Sequence, residues 1–330
     1  MDIFLQQVIN GLTQGAVYAL VALGYTMVYG IVGLINFAHG EVVMIGAMVA
    51  FSVITSMVSA NLGLAPIFIV LIGSMVAIPV CMTVGYGLER LAYRPLRNAP
   101  KLAPLITAIG MSIILQQLAM LIWSRNNLAF PQIIPSYSLE IAGATITGVQ
   151  MAIIAMSVVI MLALSLVIYR TRLGIAMRAT AENPHVAQLM GVPTNRVIAA
   201  TFIIGGGLGA VAGIMFGTYY GIAHYTMGAM LGLKAFSAAV LGGIGNIAGA
   251  MVGGIVLGLV EALGAGYISE FTNLCDWPGL SSVFEDRCAN GGSLVMFGSN
   301  YQDVFAFMVL IMVLVFRPSG LLGERTADRA

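Results

Sequence analysis

Three side chains able to bind or move a charge stand within six positions of one another in GIVGLINFAHGEVVMIGA, residues 30–47: Asn36, His39 and Glu41. Glu41 is isolated, since no residue from Ile3 to Gly40 is charged and none from Val42 to Leu88 is. Two readings fit this pattern. In one, Asn36 or His39 caps a helix that starts near Glu41, whose carboxylate complements the positive end of that helix. In the other, a broken or re-entrant segment sets these polar groups along a solute path, because ionisable residues at membrane depth face a cavity or the bundle interior. Lys234, in LGLKAFSAAVLGGIGN, poses a similar choice as the single basic residue between Arg196 and Arg287. It either snorkels to the membrane surface or lines the path, with Glu261 or Glu41 as a partner.

Catalytic signatures are lacking. There is no G-x-x-x-x-G-K-[ST] phosphate loop, and neither lysine, Lys101 or Lys234, follows one, so the chain is not expected to hydrolyse ATP itself. There is no H-E-x-x-H zinc motif and no G-x-S-x-G elbow, and His39, His185 and His224 are far apart in sequence. The expectation is a chain that is not an enzyme, with no catalytic residue, no metal ligand set and no cofactor of its own.

The elements that must position these groups follow from composition. The chain has 330 residues, 59% hydrophobic and 8% charged, whereas a soluble domain carries roughly 25% charged residues. Several uncharged runs exceed the ~20 residues that cross a bilayer core as a helix, which excludes a barrel built on short alternating strands. The expected fold is a single all-α polytopic membrane domain, 1–330, of about 8–10 transmembrane helices, with Gly-rich close packing and room for broken or re-entrant segments. Cutting at charges and turn residues gives nine spans, near 6–30, 38–60, 65–91, 104–124, 149–169, 198–218, 229–244, 247–268 and 303–316. The N-terminus lacks a basic region before its first apolar run, so that run is expected to be a retained helix rather than a cleaved signal. A net charge of +1 gives no pointer to nucleic acid.

Basic residues cluster in particular loops. Arg90, Arg94, Arg97 and Lys101 mark one cytoplasmic loop, Arg170, Arg172, Arg178 and Arg196 a second at 170–196, and Arg317, Arg325 and Arg329 a cytoplasmic C-terminus. Segments 125–148 and 269–302 then lie outside, and nine spans put the N-terminus outside as well. The 269–302 loop holds Cys275 and Cys288, which form a disulfide in an oxidising periplasm or remain two free thiols.

Glycines recur at spacings of four: Gly205, Gly209, Gly213 and Gly217 in one span, and Gly245, Gly249 and Gly253 in another. Such faces let backbones approach closely, either within the chain or against a second membrane subunit. In the 170–196 loop, Asn183-Pro184 reads as N-cap and N1, and Gly191-Val192-Pro193 as a stop, which predicts a short helix over 184–190. Its Val186, Ala187, Leu189 and Met190 suit docking against a partner or the membrane surface better than a free loop.

The blocks GYTMVYGIVGLINFAHGEVVMIGA (24–47), ERLAYRPLR (89–97), LITAIGMSIILQ (105–116), RVIAATFIIGGGLGAVAG (196–213) and GLKAFSAAVLGGIGNIAGAMVGGIVLGLVEAL (232–263) together resemble the LivH-type permeases of bacterial branched-chain amino acid ABC importers. That resemblance implies a multi-pass protein of the bacterial inner membrane. Its implied partners are a second related permease, two cytoplasmic ATPases that hold ATP and Mg, and a periplasmic amino-acid-binding protein. It also implies that Glu182, Asn183, Pro184, Ala187, Met190 and Gly191 belong to the ATPase-coupling element, and that the glycine faces pack permeases together. Permeases for urea and short amides look similar, and an ion-coupled secondary amino acid transporter would share the hydropathy. Asn36, His39, Glu41 and Lys234 are the candidates for lining the path.

Overall fold

The computed structural model describes residues 2–273 apart from 62, 98, 101, 134–136 and 142, together with 296–298 and 301–323. Seven of its helices are long and apolar enough to cross a membrane. They are α1 (Asp2–Val32), α2 (His39–Ser59), α3 (Pro66–Leu88), α4 (Leu102–Ile122), α5 (Gly148–Arg170), α8 (Thr194–Tyr220) and α10 (Ile247–Phe271). Two shorter apolar helices, α9 (Met227–Gly242) and α11 (Gln302–Phe316), occupy the other two expected spans. Between α5 and α8 lie α6 (Arg172–Glu182) and α7 (Pro184–Leu189), and four short strands pair as β1 (Leu128–Ala129) with β4 (Ile222–Ala223) and β2 (Ser138–Ile141) with β3 (Ala144–Thr147).

Helices α1 and α8 form the buried centre, packed on α2, α9 and α10, while α3, α4 and α5 present aliphatic side chains outward. An outward apolar face of this kind is what a helix shows to lipid. The central contacts depend on missing side chains. A Cβ on Gly11 would come within 2.8 Å of the Leu259 Cα of α10, one on Gly15 within 2.8 Å of the Ile255 Cα, and one on Gly213 within 2.1 Å of the Val43 carbonyl oxygen of α2. At this separation main chain meets main chain, and dispersion between backbones supplies attraction that apolar side chains cannot supply against lipid.

One end of the bundle gathers the C-terminal ends of α1 and α3, the α6–α7 loop, the start of α8, the α9–α10 turn and the chain after α11. Gly30 faces Gly245, Arg97 Nη1 donates to Asn195 Oδ1 at 2.5 Å, and the Leu321 amide donates to the Leu241 carbonyl at 2.8 Å. The start of α1 lies at the other end, where Gln7 packs on Gly266 and the Gln6 side chain bonds Thr145. The two ends of the described chain are therefore on opposite sides, as an odd number of crossings requires.

Helix α2 does not start at the bundle's end. Along α8, Gly205, Gly209 and Gly213 pass His39, Val43 and Ala47 in that order, so the two helices run parallel. Gly205 lies eleven positions past Thr194, Ser112, the hydrogen-bond partner of Glu41, ten past Leu102, and Gly24, against the His39 ring, eight short of Val32. At about 1.5 Å per residue these offsets put the first turn of α2 about 12–17 Å inside the bundle. Residues 33–38 are thus a re-entrant connector. Helix α9 starts at the same depth, because its Gly228 lies against Gly40 and the Glu41 carboxylate. Two helix N-termini meet inside the bundle.

Gly213→Leu is expected to cost more than the roughly 1–3 kcal/mol typical of overpacking, because the obstacle is backbone, and to lower the yield of monodisperse protein in detergent. Gly110→Ala, where a Cβ would meet nothing within 4 Å, is expected to change neither yield nor melting temperature.

Candidate functional site

The groups picked out around residues 36–41 are all buried, with Asn36 and His39 each 3% exposed and Glu41 1%. None of them caps α2 through its side chain: the N-cap is Ala38, with no side-chain hydrogen bond. The capping expectation for Asn36 and His39 is thereby corrected. Asn36 Oδ1 instead accepts from the Tyr93 hydroxyl at 3.0 Å, which ties the re-entrant connector to the segment that follows α3. The His39 ring occupies the space Gly24 leaves open and meets the Tyr25 ring edge-on at 5.0 Å. A side chain at position 24 would displace it.

Glu41 sits in the first turn of α2, where its charge complements the helix dipole. Its Oε1 accepts from Ser112 Oγ at 3.1 Å, and Oε2, against Gly228, has no hydrogen-bond partner. Next to it, a cavity of about 180 Å³ between α4 and α9 is lined by Tyr25, Phe37, Ile109, Ser112, Ile113, Ala229 and Leu233. Aliphatic surface on one side and, on the other, the Ser112 hydroxyl backed by the Glu41 carboxylate is a combination that can hold a small amphipathic cation.

Lys234 is not part of that group, and it does not snorkel. Its side chain is 12% exposed and its Nζ lies 2.6 Å from Glu261 Oε1 on α10 and 2.7 Å from Asp303 Oδ1 on α11. The Tyr18 hydroxyl of α1 donates to Glu261 Oε2 at 3.0 Å. Of the two partners read from sequence, Glu261 is the one found, and Asp303 and Tyr18 were missed. Asp303 opens an apolar helix just as Glu41 does, which was the available signal. One lysine between two carboxylates joins four helices and makes the cluster a staple rather than an open path.

A second ion cluster also escaped sequence reading. Glu89, fully buried, accepts from Arg94 Nε and Nη2 at 3.1 Å each and from Arg97 Nη2. The five-residue π-helix Glu89–Tyr93 turns these groups together, a local widening often found at functional positions. Burial lowers the Arg97 guanidinium from the usual arginine value, and the Glu89 carboxylate opposes that shift.

In the 170–196 loop the short helix is present as α7, Pro184–Leu189, with Asn183 Oδ1 accepting from the His185 and Val186 amides at 3.1 Å each and Gly191 at φ +85°. Glu182 ends the preceding α6, a helix the loop reading lacked although Thr171 caps it as Asn183 caps α7. Ala187 is buried against its own chain at 4%, so its assignment to a contacting surface is corrected. The exposed residues are Val186, Leu189 at 75% and Met190 at 81%.

The glycine faces are covered within the chain. Gly205, Gly209 and Gly213 lie on α1 and α2, and Gly217 on Phe130, while Gly249 and Gly253 lie on α9. Gly245 is not on a helix face: it precedes α10 in a turn with φ +95°. These positions offer no free surface to a second subunit. Cys275 and Cys288, with most of the 269–302 loop, lie outside the described residues.

A helical bundle of this length with a polar junction at mid-depth and a short capped helix at its basic end is a polytopic membrane protein of the transport class. The family model for the "branched-chain amino acid transport system / permease component" matches residues 7–314. The chain belongs to that family. It is 43% identical over 330 residues to the high-affinity branched-chain amino acid transport system permease protein BraD of Pseudomonas aeruginosa, covering 99% of this chain and 98% of that one. It is 42% identical to LivH of Escherichia coli, covering 99% and 97%. The ribose import permease RbsC of Haemophilus influenzae is 28% identical over 288 residues, 84% of this chain and 80% of that one. No solved structure gives a significant match.

Lys234→Met leaves two carboxylates without their cation and is expected to cost about 3–5 kcal/mol, seen as a lowered melting temperature of the purified chain. Lys234→Met combined with Glu261→Leu is expected to recover part of that loss; a double variant as unstable as the sum of both singles would contradict the staple.

Proposed function

We propose that this chain is the transmembrane permease of an ATP-driven importer for leucine, isoleucine and valine. It works with a second related permease, two cytoplasmic ATPases and a periplasmic binding protein, in the bacterial inner membrane with its C-terminus in the cytoplasm. Family membership over residues 7–314 is the observation that carries this reading. The orientation is supported by the gathering of Arg97, Arg178, Arg196 and Arg317 at one end, which the positive-inside rule makes cytoplasmic.

Helix α7 at that end is the coupling element. It is capped at both ends, anchored by buried Ala187, and projects Val186, Leu189 and Met190 away from the chain. Three apolar side chains on a rigid turn make a knob for a cleft, and movement of the ATPases reaches the bundle through it. The bundle supplies two states, open to either side, and ATP binding and hydrolysis bias them in sequence. A gradient-driven secondary transporter has no use for such a knob.

Leu189→Asp combined with Met190→Asp is expected to abolish leucine uptake and co-purification of the ATPases while leaving membrane insertion intact. Wild-type uptake is expected to stop when ATP is depleted under a clamped proton gradient. Uptake that survives ATP loss but follows the gradient would sink the importer reading, and transport of urea or short amides in place of leucine would reassign the substrate.

A further inference from the structure

The geometry points to the junction of α2 and α9 as the place where the permease itself recognises the passing amino acid. Glu41 and Ser112 hold its ammonium, and the groove between α4 and α9 takes its aliphatic side chain. This deepens the importer reading and rests on it.

Glu41 is a carboxylate 1% exposed, with one hydrogen bond and no basic partner among the described residues. A buried charge left in that condition is costly and is normally paired. Both other buried carboxylates that the structure describes, Glu89 and Glu261, have their cations. Glu41 lacks one, and it lies beside a cavity whose polar wall is Ser112, the residue that already donates to it. An ammonium entering there supplies the missing charge and hydrogen bonds together.

The aliphatic half of the ligand has a matching surface. The first turn of α9, with Ala229 on the groove wall, begins at the depth of Glu41. Opposite it, Ile109, Ile113 and Leu233 are aliphatic. The groove is open along this rim, where Ile109, Ile113 and Leu233 are about half exposed, so a branched aliphatic side chain enters it without rearrangement of the helices. A sugar has no ammonium for Glu41, and urea has no use for the aliphatic wall.

The test uses the assembled transporter in proteoliposomes with its binding protein, reading leucine uptake, ATP hydrolysis and the amount of complex. Glu41→Gln keeps the volume and the bond from Ser112 but removes the charge. Its Vmax for uptake is expected to fall at least about ten-fold, the scale on which a site rejects a ligand it can no longer pair. KM, set by capture at the binding protein, should be unchanged, and Glu41→Asp should recover part of the rate. If Glu41→Gln does not assemble, Ile113→Trp decides: it fills the cavity from its exposed rim and is expected to lower Vmax with normal assembly and ATP hydrolysis. Wild-type Vmax in Glu41→Gln, or in an assembled Ile113→Trp, overturns the site. Absence of leucine uptake by the unaltered transporter overturns the importer reading instead.

Discussion

Everything at the centre of this bundle depends on how closely the backbones of α2 and α9 approach. A Cβ on Gly40 would lie 2.3 Å from the Gly228 carbonyl oxygen and 2.9 Å from the Gly232 Cα. Only bare main chain fits at that crossing. Because it fits, α2 and α9 both begin inside the bundle, with overlapping N-termini. Their first turns and Glu41 are held inside the bundle, about halfway along it. Helices that ran the full thickness would bury no polar ends at all, since α-helical backbone satisfies itself across a membrane. The interruption creates the site.

The same arrangement divides the buried charges by task. Glu89 is surrounded by two arginines, and Lys234 by Glu261 and Asp303, so these clusters are internally neutralised to a large degree and serve to fix helices to one another. The first ties the end of α3 to the chain that follows it, and Arg97 carries it on to Asn195 of α8; the second joins α1, α9, α10 and α11. Glu41 stands apart with a hydroxyl on one oxygen and no partner on the other. Stapled contacts elsewhere, with Glu41 Oε2 and His39 Nε2 unsatisfied at the junction, leave the junction as the place where a ligand changes the energy balance between states.

Much of this was legible from the residues. Hydropathy located the nine long or apolar spanning helices among the described residues, and Asn183, Pro184 and Gly191 located α7, because caps and turn residues act locally. The isolation of Glu41 and Lys234 marked both as groups with a task. What the residues did not disclose was depth and partner choice. Asn36 and His39 have the chemistry of helix caps, and only the crossing at Gly40, Gly24 and Gly205 turns them instead toward Tyr93 and Tyr25. Ala187 looked like a contact residue because a six-residue helix has no sequence signal for which face is covered. The glycine spacing predicted close packing, but a partner within the chain and a partner in another subunit give the same spacing.

The central claim is that the α2–α9 junction is a solute path reached from both sides in turn. The most direct measurement places a cysteine at Ala229 in a chain whose Cys81, Cys275 and Cys288 are replaced, and follows its labelling by a membrane-impermeant thiol reagent added from each side of the assembled transporter. The account predicts labelling from one side at rest and from the other when ATP is bound and hydrolysis blocked, slowed in both cases by leucine. A residue 229 that water-soluble reagents reach from neither side in either state would contradict it, because the wall between α4 and α9 would then be facing lipid.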